Sequence, residues 1–257
     1  MTIVINPFFL LGAAAGAAML VFGWLRKNKV SAVTSAPLRP CGGLAPGKPQ
    51  AVSGRADAPV VLRSPVTGRD CAFFLKEVEV ARAVYTRRGR RTSWVLAESS
   101  ACGFFFVDDT FGRALVFPTY DSLDLCKPPE VEGSIIAIEG ERRVTERVVL
   151  QGEEVTVLGS PRPLSEFIAY ARENLAAGLP SSGLERLLEL ARDPAGAATP
   201  CFYGHDLSLV TDQNYSDYLS WKTSSASSYI WGGLAVALVS LWLFIQPFLS
   251  SGQRTVQ

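Results

Sequence analysis

The chain has 257 residues, 48% of them hydrophobic and 19% charged, with a net charge of +1. A soluble domain usually carries about 25% charged residues, so this chain is short of charge. The shortage is local: Ile3–Leu25 and Tyr229–Leu249 contain no Asp, Glu, Lys, Arg or His, while all 24 acidic residues and every basic residue except Arg254 fall between Arg26 and Lys222. That distribution argues against a wholly soluble enzyme, a polytopic channel, and a nucleic-acid binder driven by bulk charge. It fits an integral, multi-pass membrane protein with two spans around one central domain.

A bilayer core of about 30 Å needs roughly 20 apolar residues in a helix, and both runs meet that length. Residues 1–29 read as an N-terminal anchor with its span at 3–25. No basic side chain precedes the run, while Arg26, Lys27 and Lys29 follow it. That charge order is wrong for a cleaved signal peptide and right for a retained anchor. The second anchor, 223–257, holds a span at 229–249 and a short tail. Basic residues gather on the side that is not translocated, so Arg26, Lys27, Lys29 and Lys222 place the central domain on the cytoplasmic side. Gly12-Ala-Ala-Ala-Gly16 is a G-x-x-x-G that lets another helix approach closely. The partner helix is either the second span or another copy, which would make a homo-oligomer.

Residues 30–59 are rich in Pro and Gly and read as a tether, with a short edge strand at Gln50–Ser53. From Val60 to Gly159 the pattern is β: Cys71–Ala81, Ser93–Glu98, Phe104–Asp108, Ala114–Pro118 and Glu154–Leu158 are apolar or alternating runs between turn residues. Asp108–Gly112 and Arg87–Arg91 sit between such runs as hairpin loops. Over 163–193 the period becomes helical, with Leu164, Phe167, Ile168 and Ala171 on one face and Leu184, Leu187, Leu188 and Ala191 on another. Leu207–Val210 reads as a strand and Tyr215–Lys222 as a juxtamembrane helix. The expected fold class is α+β: a mostly antiparallel β domain over 60–222, with an inserted helical hairpin, flanked by two transmembrane helices.

Catalytic patterns are not legible. Cys41, Cys71, Cys102, Cys126 and Cys201 form no C-x-x-C, and His205 is the single histidine. A structural zinc site draws its four ligands from short paired spacings, so neither a metal nor any other cofactor is expected. A Cys201/His205 dyad lacks a third, orienting group and reads as a buried cysteine beside an ordinary histidine. The strongest electrostatic feature is the turn holding Arg87, Arg88, Arg90 and Arg91, which suits contact with anionic headgroups at about 1 kcal/mol per basic group.

Four segments carry a resemblance: Val52-Ser53-Gly54-Arg55, Ser64–Cys71, Phe104–Gly112 and Glu146–Gly159, followed by Leu207–Lys222 and the second span. In this order they resemble the GIDE, or BAM ("beside a membrane"), domain of the MULAN-type membrane-anchored E3 ubiquitin ligases and their prokaryotic relatives. The motif positions are Ser64, Pro65, Gly68, Cys71, Asp109, Gly112, Glu146, Gly152, Glu153 and Gly159, expected in structural roles. In those ligases ubiquitin transfer belongs to a zinc-binding RING finger after the second span. Here Ser250–Gln257 contains no Cys or His, so a RING-less relative is expected. The resemblance thus implies a membrane-anchored binding or scaffold domain with a protein or lipid partner. Ubiquitin-protein transfer is the alternative it carries.

Overall fold

The computed structural model describes residues 7–34, 36–87, 89–134, 136–174 and 181–251. The chain opens with helix α1 (Pro7–Thr34), then strands β1 (Gln50–Asp57), β2 (Leu62–Arg63), β3 (Asp70–Thr86) and β4 (Gly89–Gly103). Next come β5 (Phe105–Asp109), β6 (Gly112–Val116), β7 (Glu130–Gly133), β8 (Arg142–Leu150), β9 (Glu154–Gly159) and β10 (Arg162–Pro163). Helices α2 (Leu164–Asn174), α3 (Ser181–Leu190) and α4 (Pro194–Ala197) precede β11 (Pro200–Phe202), β12 (Leu207–Thr211) and the long helix α5 (Tyr215–Ser251). Two compact units result: a helical one from α1 and α5, and a β-rich one spanning Ala36–Tyr215.

The β unit contains two sheets. An inner sheet has seven strands in the order β10-β11-β6-β5-β1-β9-β12. An outer sheet of five strands runs β2-β3-β8-β7, with β4 also paired to β3. The named strand pairs are antiparallel except β11 with β6. Mixed α+β architecture with mainly antiparallel sheets is therefore what the chain adopts.

Layering follows from side-chain alternation. One face of the inner sheet, with Val52, Val107, Val155 and Val157, packs on Ala72, Phe73, Leu75 and Val149 of the outer sheet. Its other face and adjoining loops present Phe104, Phe106, Leu115, Phe117 and Cys201 to Leu164, Phe167, Ala171 and Leu187 from the helical hairpin. The Phe117 and Phe167 rings stack with centroids 3.9 Å apart, and Phe104 adds to the stack at 4.9 Å from Phe117. Burial on both faces explains why Phe104–Val107 is a continuous apolar run rather than an alternating one.

Two expectations are overturned. The Gly/Pro-rich segment is not a tether up to residue 59, because Ala36–Asp57 belongs to the folded β unit. Nor is Gln50–Ser53 an edge strand: β1 runs to Asp57 and lies between β5 and β9. Gly54 looked like a breaker but has a packing reason. A Cβ there would sit 2.5 Å from the Asp108 carbonyl oxygen, so only glycine allows this close approach. Two strands are also longer than expected, since Cys71–Ala81 extends to Asp70–Thr86 and Ser93–Glu98 to Gly89–Gly103.

In the helical unit, Tyr215–Ile245 is 31 residues long and is the one stretch among the described residues long and apolar enough to cross a membrane. The apolar part described in α1, Leu11–Leu25, is shorter. The expected first span at 3–25 starts among residues outside the described ones. Together the 28 residues of α1 would measure about 42 Å.

Candidate functional site

The Ser64–Cys71 motif folds into a tight turn between β2 and β3. Ser64 N donates to the Arg69 carbonyl at 2.9 Å, and Gly68 N donates to the Ser64 carbonyl at 3.0 Å. Gly68 adopts a φ of +66°, which a side chain would resist. The Ser64 and Thr67 hydroxyls are 2.6 Å apart. Glu146, from β8, fastens this turn although the two lie 80 positions apart: its Oε2 accepts from Val66 N at 2.8 Å and from Thr67 N at 3.3 Å. Glu146 is 0% exposed, and its Oε1 has no partner among the described residues. Ser64, Pro65, Gly68, Cys71 and Glu146, separate pieces of the motif set, thus form one locked turn.

The other motif segments meet at a second place. Ser53–Asp57, Asp108–Thr110, Gln151, Gly152 and Glu154 line an open cleft at one end of the inner sheet. Arg113 bridges its carboxylates, with Nε 3.0 Å from Asp108 and a guanidinium nitrogen 3.8 Å from Asp57. Asp109 is committed to structure: it accepts from Cys41 N and Phe111 N, both at 2.7 Å. Glu153 accepts from Leu150 N at 2.9 Å and pairs with Lys127. Gly112 closes the β5–β6 hairpin opposite Asp109, and Gly159 pairs with Gln50 and Leu207 at the end of β9. Such a cleft offers charges of both signs, with Arg55 and Glu154 in its lining beside the Arg113 pairs, suited to a polar contact.

A third feature was missed by the sequence reading. Phe73, Phe117, Pro118, Tyr120, Tyr170 and Tyr203 line a mainly apolar cavity of about 230 Å³. Tyr170 and Tyr203 pack with centroids 5.0 Å apart, and burial pushes the Tyr203 phenol up from its ordinary value. The signal was present in part: Tyr170 follows Phe167 by three residues, on the same helical face. Tyr203 and Tyr120 arrive from distant segments, which periodicity does not reveal.

Cys41, Cys71 and Cys201 are poor nucleophiles in this setting. Burial pushes the Cys41 thiol up to about 12, with Asp109 adding to the effect. Burial does the same to Cys71, up to about 12, with the Glu146 carboxylate second. Cys201 is 0% exposed and raised further by burial, while His205 lies exposed in the following turn. Only the thiolate attacks, so these groups are held in the unreactive form.

The arginine turn is a two-residue hairpin connecting Thr86 to Gly89. Arg87, Arg90 and Arg91 are exposed, Arg90 pairs with Glu139, and Arg88 lies outside the described residues. Apolar side chains share this region, with Tyr85 79% exposed and Val84 38%. In the helical unit, Gly12 meets the Ser240 side chain and Gly16 is buried against Gly233 and Ala237. A Cβ on Gly16 would lie 3.0 Å from the Gly233 carbonyl and from the Ala237 amide nitrogen. Gly23 continues the seam against Ile230, and Phe22 meets Tyr229 edge-on at 5.3 Å. The G-x-x-x-G face therefore packs on α5 of the same chain.

No protein-family model matches the chain, and neither does any curated protein or solved structure.

Proposed function

We propose that the chain is a two-span membrane protein whose β unit works as a binding or scaffold domain held beside the bilayer, similar to a GIDE module. The observation that carries this reading is the seam between α1 and α5. Gly12 opposite Ser240 and Gly23 opposite Ile230 run antiparallel along the apolar part of the helix long enough to cross a membrane. A helix packed along that stretch shares its depth in the bilayer, and small residues at the contact are how membrane helices approach closely. The two spans then put both termini on one side and the β unit on the other, which the basic residues at 26, 27, 29 and 222 mark as the cytoplasmic side.

Topology tests it. Val4→Cys and Arg254→Cys, made separately, are labelled with a membrane-impermeant maleimide in sealed vesicles and compared with the exposed native Cys126. Both end positions should react from one side and Cys126 from the other. Ends that react from opposite sides would overturn the two-span reading.

The arginine turn supplies the lipid part of the proposal. Arg87, Arg88, Arg90 and Arg91 attract anionic headgroups, and the exposed Tyr85 beside them gives an apolar foothold. A polarity-sensitive dye on Tyr85→Cys, in the full chain reconstituted into nanodiscs, should shift to the blue with anionic lipid and not with neutral lipid. Replacing the four arginines by Ser should abolish the shift. Emission that is the same in both lipids sinks this contact.

A further inference from the structure

The free side of β4 is a strand-pairing edge. β4 is 15 residues long, and among the described residues it pairs with β3 alone. Which of its backbone groups face outward follows from β3. Ala81 uses its N–H on the Glu141 carbonyl and its own carbonyl on Gly140 N, both on the side away from β4. Ala81 stands opposite Trp94, so the Trp94 N–H and C=O point away from β3, toward the open edge. Alternation gives Arg90, Thr92 and Leu96 the same outward direction. Long edges of this kind are templates for another strand.

The charges on β4 say which strand. The ladder skips Ala97: Leu96 pairs with Glu79, and Glu98 with Val78. This bulge puts Glu98 on the same sheet face as Arg91, which pairs with Val84, although seven positions separate them. An antiparallel partner centred on Trp94 would place Thr92 opposite Leu96 and, past the bulge, Arg91 opposite Glu98. Both charged side chains are exposed. A second copy of β4 supplies that complement twice, by symmetry.

We propose that two copies of this chain associate edge to edge through β4, antiparallel about Trp94, with Arg91 of each copy paired to Glu98 of the other. The ladder joins Trp94 to Trp94 and Thr92 to Leu96 on either side of the two-fold axis. The two outer sheets thereby become one continuous sheet. Because the argument uses only the β unit, it stands apart from the reading of membrane topology.

Charge exchange tests it in the full chain in dilute detergent micelles, by mass photometry. Wild type should be dimeric. Arg91→Glu and Glu98→Arg should each shift the dimer dissociation constant upward by about tenfold or more. Mixing the two single variants should restore a dimer containing one copy of each, since opposite charges again face across both sites. In a background with Cys102 and Cys126 changed to Ser, Trp94→Cys should form a disulfide between copies on mild oxidation. A hydrogen-bonded antiparallel pair holds its Cα atoms about 5.5 Å apart, within disulfide reach. A monomeric wild type, single variants that dimerise normally, or a Trp94→Cys crosslink to some other protein would each overturn the proposal.

Discussion

The inner sheet and the β3–β4 ribbon are built from the same antiparallel pairing yet sit in opposite environments. β5 and β9 have apolar packing against the outer sheet on one face, and the sheet's other face is closed by α2 and α3. Beyond Ala81 the ribbon has lost β8 as a neighbour, and most side chains from Arg82 to Ser93 are exposed. Backbone hydrogen bonds are present in both, so they do not account for the difference. Burial accounts for it. The inner sheet supplies stability, and the ribbon, with little apolar area to lose, carries exposed charge and an open edge.

The largest effect should come from emptying the closed side of the inner sheet. Phe167→Ala removes a ring that is 0% exposed and stacked on Phe117, which should cost about 3–5 kcal/mol. Urea unfolding of the full chain in micelles measures it. A loss below about 1 kcal/mol would mean that the helical hairpin is not part of the core.

Alkaline pH separates the regions next. Cys41 and Cys71 are pushed up from 9.0 to about 12, so between those values the folded chain holds protons that the unfolded chain has released. The stability these two thiols contribute should be constant below pH 9 and should be lost as pH rises toward 12. Urea midpoints at several pH values should follow that course, and Cys41→Ala should flatten it in part. Amide exchange in the ribbon, once corrected for the intrinsic rate, should respond less.

Glu146→Ala should cost about 1–3 kcal/mol, because the Val66 and Thr67 amides lose their acceptor beneath the turn. Hydrogen exchange at those two amides should quicken well before the inner sheet opens. The smallest effect belongs to the ribbon. Val95→Ala, at a position 38% exposed, should change stability by no more than about 0.5 kcal/mol. A loss as large as that for Phe167→Ala would erase the contrast.

Much of this fold was legible. The helical faces 164–171 and 184–191 were readable because the buried residues Leu164, Phe167, Ala171 and Leu187 recur at 3.6-residue spacing. The Asp109–Gly112 and Thr86–Gly89 hairpins were readable because their turn residues interrupt clear apolar runs. Of β1 only Gln50–Ser53 was legible, since the prolines before it and Gly54 within it look like breakers until a close neighbour explains the glycine. β8 was hidden by its charges: Glu146 looks like a surface residue until the Val66 and Thr67 amides arrive to hold it. The motif residues could be picked out, but not that they divide between a locked turn and an open cleft. That division depends on contacts 50 to 100 positions apart, which no local pattern encodes.

The position of β1 also sets the order in which the chain can acquire its structure. Val52 is the complement of Val157, 105 positions later, and Arg55 is the complement of Asp108, 53 positions later. A strand made early must therefore wait for two much later ones before its backbone groups are satisfied. At about 5–20 residues per second, ribosomal synthesis alone imposes several seconds of delay. During that interval the local β3–β4 ribbon can form without waiting. Loop-closure entropy makes the distant pairings slow, so completion of the inner sheet is expected to limit the folding rate. In the living cell, β1 is therefore expected to lack one of its two partner strands until β9 has been made.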